Sequence, residues 1–125
     1  MSKECFFCSL KPEQQISESK LAFTKADDSP VTKYHSIIIP KRHFASFFDI
    51  TDEELLEINN LIKLRKDEIL KLDETVTGFN IGMNIGESAG QSILHVHIHL
   101  IPRRLGDLKN PKGGVRGVIP EKRCY

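Results

Sequence analysis

The sequence predicts an α+β domain built from a mostly antiparallel sheet and one long helix. Three stretches carry that expectation. Between residues 51 and 73, apolar side chains recur at helical spacing: Leu55, Ile58, Leu61, Ile62, Ile69 and Leu72. From Phe79 to Ile85 the apolar positions alternate with Asn80, Gly82 and Asn84, a period of two that means strand. From Ile93 to Ile101 a second β pattern sets Val96, Ile98 and Leu100 against three histidines. A chain of 125 residues is about one domain's length, and 1–125 reads as one, without repeats or linkers.

The remaining elements follow in chain order. Residues 1–10 carry Cys5 and Cys8. Lys20–Lys25 is a short strand, and Ala26–Lys33 a turn-rich loop around Pro30. Ser36–Ile39 is a β-branched run stopped by Pro40, the pattern of a buried strand. Phe44–Phe48 forms a short helical turn. Thr51 and Glu54 make a capping box, and Asp52, Glu53 and Glu54 suit the positive end of the helix that follows. That helix runs to about Asp73, and Gly78 marks the exit from it. Glu87–Gly90 is a turn. Pro102 ends the last strand, and the tail from about 103 to 125 is irregular. Phe6, Phe7, Phe47 and Phe48 are expected in the core.

Composition excludes several classes of function. Lys and Arg total 18 against 17 Asp and Glu, a net charge of +1. A mainly electrostatic nucleic-acid binder needs a basic excess, so no nucleic-acid partner is expected. No stretch approaches ~20 continuous apolar residues, so no membrane partner is expected. The first ten residues are too broken by Glu4 and the cysteines for a secretory signal. A cytoplasmic location is therefore the expectation. Three cysteines do not make a disulfide framework. Cys124 reads as a free thiol. Cys5 and Cys8 form C-x-x-C, a metal clamp or a redox pair. The redox reading is the weaker, because no strand precedes the motif.

The chemistry concentrates in residues 95–99, His-Val-His-Ile-His. The chain has five histidines, and three of them alternate here. Packing explains the apolar face but not the histidine face. One reading is a metal site, since histidines two apart on a strand can converge on one ion. The other is a nucleophilic imidazole whose neighbours orient it. Gly82, Gly86 and Gly90 precede the motif at intervals of four, interleaved with Asn84, Gln91 and Ser92. Glycines let backbone N–H groups approach an anion, and the polar side chains add neutral donors. That environment suits a phosphate beside a histidine.

The segment NIGMNIGESAGQSILHVHIHLIPRR resembles the signature of the histidine triad (HIT) family of nucleotide hydrolases and transferases. The likeness extends upstream through CFFC and YHSIIIPKRHFASFFDIT, and downstream through GDLKNPKGGVRGVIP. It implies a HIT-like α+β fold, a homodimer, and a purine nucleotide bound with its α-phosphate at the triad. The middle histidine, His97, would attack that phosphorus and form a nucleotidyl-histidine that water hydrolyses. A backbone carbonyl within the triad would hold its other nitrogen, with His35 extending the relay. His99 would bond the phosphate or the bridging oxygen. Gly90, Gln91 and Ser92 would stabilise charge on phosphorus, with Asn84 on the phosphate side. Asp27 matches the family's ribose-binding acid, while an Asx turn before Pro30 is the plainer reading.

Cys5, Cys8, His43 and His95 match the structural zinc ligands of members that keep the C-x-x-C. Lys41, Arg42, Arg103 and Arg104 could meet distal phosphates or form a solvated basic patch. Residues 110–116 could cover the second half of a dinucleotide. The chain has no tryptophan, unlike some phosphoramidase-type members. The resemblance therefore implies first a hydrolase of dinucleoside polyphosphates such as diadenosine tetraphosphate. A nucleoside phosphoramidate hydrolase, or a nucleotide-binding partner protein with residual catalysis, is the alternative.

Overall fold

The computed structural model describes residues 5–125. Five strands form one antiparallel sheet: β1 (Ser17–Glu18), β2 (Ala22–Ala26), β3 (Ser36–Pro40), β4 (Val76–Gly82) and β5 (Ile98–Arg104), in the spatial order β1-β2-β3-β5-β4. One α-helix, α1 (Asp52–Leu72), is present among the described residues. It is not apolar enough to cross a membrane.

α1 starts as its capping box dictates. Glu54 N–H donates to Thr51 Oγ1 (3.1 Å), and Thr51 N–H donates to a Glu54 carboxylate oxygen (3.0 Å). Its inner face, Ile58, Leu61 and Ile69, packs with Ile38, Val96, Ile98 and Leu100 from one side of the sheet. The other side is covered by the N-terminal segment, where Cys5 and Phe7 meet Phe23, Ile37 and Ile39. Strand alternation divides β3 between these two cores. With both faces covered, the unbroken apolar run Ile37-Ile38-Ile39 is what the site requires.

The strand boundaries differ from the sequence expectation. β4 begins at Val76, so Gly78 lies within it, beside a register shift where Thr77 is the extra residue. β4 also stops at Gly82, before Asn84. β5 begins only at Ile98 and continues through Pro102 to Arg104. Its pairing with β3 ends at Ser36–Leu100. Pro102 therefore lies where the β3 side has no ladder to supply, and its missing N–H costs nothing. Its carbonyl accepts from Thr32 Oγ1 at 2.7 Å. Residues 95–97 run ahead of the strand, tied by Val96 N–H to Phe44 O (2.9 Å). The helical turn near Phe44 falls at Phe47–Asp49. Phe7 is in the core under the N-terminal segment and Phe47 packs against the core under α1, but Phe6 and Phe48 are exposed. The tail holds the end of β5 and two 3₁₀ turns, Gly114–Val118 and Pro120–Lys122.

Candidate active site

The three alternating histidines end up in three different settings. His95 is fully buried: its Nε2–H donates to Pro40 O at 2.7 Å, so Nδ1 keeps a lone pair. That Nδ1 lies 3.4 Å from Cys5 Sγ, 3.5 Å from Cys8 Sγ and 3.1 Å from His43 Nδ1. Cys8 Sγ is 3.3 Å from His43 Nδ1, and all four donor atoms fall within 4.8 Å of one another. A tetrahedron with metal bonds of about 2.0–2.3 Å has ligand–ligand edges of about 3.3–3.8 Å, close to this spacing. Burial, then the neighbouring Cys5, pushes the Cys8 thiol above its ordinary value. Four soft or borderline donors around one point fit a divalent cation far better than they fit each other.

His97 is half-buried at the mouth of a cleft. Its Nδ1–H donates to His95 O at 2.9 Å. That bond fixes the proton on Nδ1 and leaves Nε2 with a lone pair and no partner among the described residues. The ring packs edge-on against Phe7, with centroids 5.1 Å apart. The cleft encloses about 170 Å³ and is lined by Phe6, Phe7, Ile37 and Ile93, with Asp27 at the side. A larger hollow of about 440 Å³ between β4 and the C-terminal segment contains none of the histidines.

His99 and His35 form a separate chain. Val31 N–H donates to His35 Nδ1 (3.1 Å), so His35 carries its proton on Nε2 and donates it to His99 Nδ1 (2.9 Å). Neutral His99 therefore presents an Nε2–H donor. Burial lowers the affinity of both rings for a second proton, and the charge on Asp27 opposes that only in part. Asp27 Oδ2 is 3.4 Å from His35 Nε2 and 3.6 Å from His99 Nδ1. These three groups lie as close as metal ligands do. The Val31 bond argues against that use: an Nδ1 that accepts leaves Nε2 protonated, with no lone pair for an ion.

Asp27 also makes the Asx turn, because its Oδ1 accepts from Ser29 N–H at 2.8 Å. One carboxylate oxygen thus shapes the loop while the other faces the imidazoles. The loop before the triad is held by Gln91. Its amide oxygen accepts from Gly86 N–H (2.9 Å) and its amide nitrogen donates to Ala45 O (2.8 Å) and Ile93 O (3.1 Å). The Gln91 side chain is therefore committed to the loop. Gly90 sits at φ 90°, in the left-handed region that closes the Glu87–Ala89 turn and favours glycine. Ser92 and Asn84 are exposed, and neither side chain bonds a histidine among the described residues.

The four basic residues considered for phosphate are engaged elsewhere. Arg42 clasps Glu54 through two bonds, of 2.9 and 3.0 Å, and Lys41 pairs with Glu18. Arg103 binds Asp107 and Asn80, and Arg104 binds Asp73. Sequence reasoning did not assign Lys25 or Asp28, which both line the cleft. The signal was the alternation of β2, which puts Lys25 on the same buried face as Phe23.

An imidazole with an unpartnered Nε2 thus stands on a five-stranded antiparallel sheet beside a two-Cys, two-His cluster. Residues 9–106 match the model of the HIT domain, and the chain belongs to the HIT family. It is 35% identical over 108 residues to the adenosine 5′-monophosphoramidase of Candida albicans, covering 80% of this chain and 70% of that one. A HIT family protein from Bacillus anthracis superposes with a TM-score of 0.76 at 32% identity, over 86% of this chain and 78% of that one. A zinc-bound histidine triad protein from Mycobacterium smegmatis gives 0.75 at 29% identity, over 88% and 82%.

Proposed function

We propose that the chain is a nucleotide hydrolase that cleaves a purine nucleotide at its α-phosphate through a covalent intermediate on His97. The observation that carries this reading is the His97 tautomer. Nδ1–H is held by His95 O, so the free lone pair is on Nε2 of a residue that lines the cleft. Nε2 attacks the α-phosphorus, a P–N bond forms, and the bond from phosphorus to the leaving group breaks. Water then attacks the same phosphorus, breaks the P–N bond and releases the nucleoside monophosphate. His99 Nε2–H donates to the oxygens that gain charge, and His35 keeps it in that tautomer. Ser92, Asn84 and the backbone after Gly90 line the phosphate side. Asp27 Oδ2 receives the ribose hydroxyls.

The substrate reading has two forms. A dinucleoside polyphosphate such as diadenosine tetraphosphate fits attack at the α-phosphate and the absence of tryptophan. The named activity of the Candida relative favours a nucleoside phosphoramidate instead. Both use the same attack and differ only in the leaving group. Incubation with diadenosine tetraphosphate and, separately, with adenosine 5′-phosphoramidate tests this. AMP should form from at least one of them, and His97→Ala should lower the rate by roughly 10³-fold or more while still binding AMP. Near-normal turnover by that variant would sink the assignment.

Cys5, Cys8, His43 and His95 are proposed to hold one zinc ion. Such a closed site leaves no open position, so the ion supplies cross-linking and charge rather than an activated water. A reducing cytoplasmic setting keeps both thiols available for it. The homodimer expected from the family is proposed to form along β4. This strand ends the sheet, with Ile81 exposed on it. Sedimentation of the purified chain checks this, and a monomer at micromolar concentration would remove it.

A further inference from the structure

The base end of the cleft carries a charged pair in an otherwise apolar wall, and its use follows from the valences left open. Lys25 is only 4% exposed. Its ammonium donates to Ala26 O (2.9 Å) and to Asp28 Oδ1 (2.6 Å). An ammonium has three N–H donors, and no third acceptor lies within bonding distance among the described residues. Its charge also lies 5.6 Å from the centre of the Phe6 ring. Asp28 is largely exposed and spends one carboxylate oxygen on Lys25, so Oδ2 is free. Both residues line the same hollow as His97, Phe6, Phe7 and Ile93. At about 170 Å³ the hollow suits one aromatic base, since a cavity of roughly 150 Å³ holds a benzene ring.

A buried ammonium with an unspent donor is costly unless a ligand completes it. The apolar walls accept the faces of a base, while Lys25 and Asp28 offer a donor and an acceptor side by side. That pair matches one purine edge. The O6 of guanine accepts, and its N1–H and N2–H donate. Adenine presents the reverse: its N6 amino group would meet the ammonium and its N1 lone pair the carboxylate. Sequence order supports this placement, because Asp28 directly follows Asp27, the ribose acid of the proposed function.

We infer that the Lys25–Asp28 pair reads the edge of the base and makes this chain selective for guanine nucleotides over adenine nucleotides. The inference rests on the proposed nucleotide site and narrows its substrate class. The pair also accounts for a lysine at a core-facing strand position, where packing alone calls for an apolar residue.

The test is calorimetric binding of GMP and AMP to the wild-type protein, with hydrolysis of guanosine and adenosine 5′-phosphoramidates in parallel. GMP should bind roughly 10- to 100-fold tighter, with the same order of preference in kcat/KM. Asp28→Asn, a change at an exposed side chain, should bring the ratio towards one. Lys25→Met should do the same. Because Lys25 is buried, the Asp28 variant carries the test if the Met variant fails to fold. Equal affinity for the two nucleotides, or tighter AMP, overturns the inference and leaves the hydrolase reading standing. So does a guanine preference that survives both substitutions. If neither nucleotide binds and neither the phosphoramidates nor diadenosine tetraphosphate are cleaved, the proposed function falls and the inference falls with it.

Discussion

His97 can do something that no other imidazole lining the site can do. Both nitrogens of His95 and of His35 are engaged, and His99 holds its proton on the nitrogen that remains. The His95 lone pair faces the two-Cys, two-His cluster, so only His97 has one without a partner among the described residues. The same commitments make stability depend on pH. Burial holds the pKa values of His35 and His99 below the usual imidazole range. In the unfolded chain both rings take up a proton near pH 6.5, whereas in the folded chain they resist it. Their stabilising contribution is therefore complete above about pH 6.5 and is lost as the pH falls below it. The slope reaches at most about 1.4 kcal/mol per pH unit for each ring. Urea unfolding at pH 7.5, 6.5 and 5.5 should show the loss. His35→Gln should flatten it, and an unchanged slope would mean that other groups dominate. The triad was legible from its spacing. The separation of its three members came from the family resemblance and not from the spacing, because identical side chains at identical spacing say nothing about which nitrogen is already bonded.

At the scale of elements, the helix was read almost to the residue. Its signal is local: a capping box at one end and a 3.6-residue period behind it. Thr51→Ala removes the acceptor for Glu54 N–H and should cost about 1 kcal/mol, seen as a lower unfolding midpoint with activity retained. No change in midpoint would show that the Arg42–Glu54 pair alone secures the helix start. The strands were read with shifted ends, and the shifts share a cause. Hydrophobic alternation reports which faces are buried, not what the backbone bonds to. Residues 93–97 alternate like a strand, yet Val96 bonds the Phe44 loop and Gln91 ties the preceding turn to Ala45. Pro102 reads as a strand end, yet it is tolerated because β3 has already finished beside it. The backbone before the triad is thus freed from the sheet, and the N–H groups of Gly86, Ala89, Gly90 and Gln91 are bonded within their own loop instead.

At the scale of the whole molecule, the two-Cys, two-His cluster and the cleft are joined by two residues. Phe6 and Phe7 lie between Cys5 and Cys8, and both line the cleft, with Phe7 against the His97 ring. A cation on the cluster would therefore do more than staple the N-terminus: it would hold the aromatic wall against which a base packs. Without it, residues 5–8 are tied down mainly by the burial of Cys5 and Phe7. His97 keeps its bond to His95 O in either case, so its tautomer does not depend on the metal. Metal removal should then act unevenly. A strong zinc chelator, or Cys5→Ser with Cys8→Ser, should lower the melting temperature by on the order of 10 °C. Nucleotide affinity should weaken several-fold, measured as Kd for GMP and AMP and as KM, while kcat falls less. A melting temperature unmoved by the chelator, in protein shown to have contained one zinc per chain, would remove the structural role. If kcat collapsed while Kd stayed fixed, the ion would be supporting His97 directly, and the wall formed by Phe6 and Phe7 would not be the link.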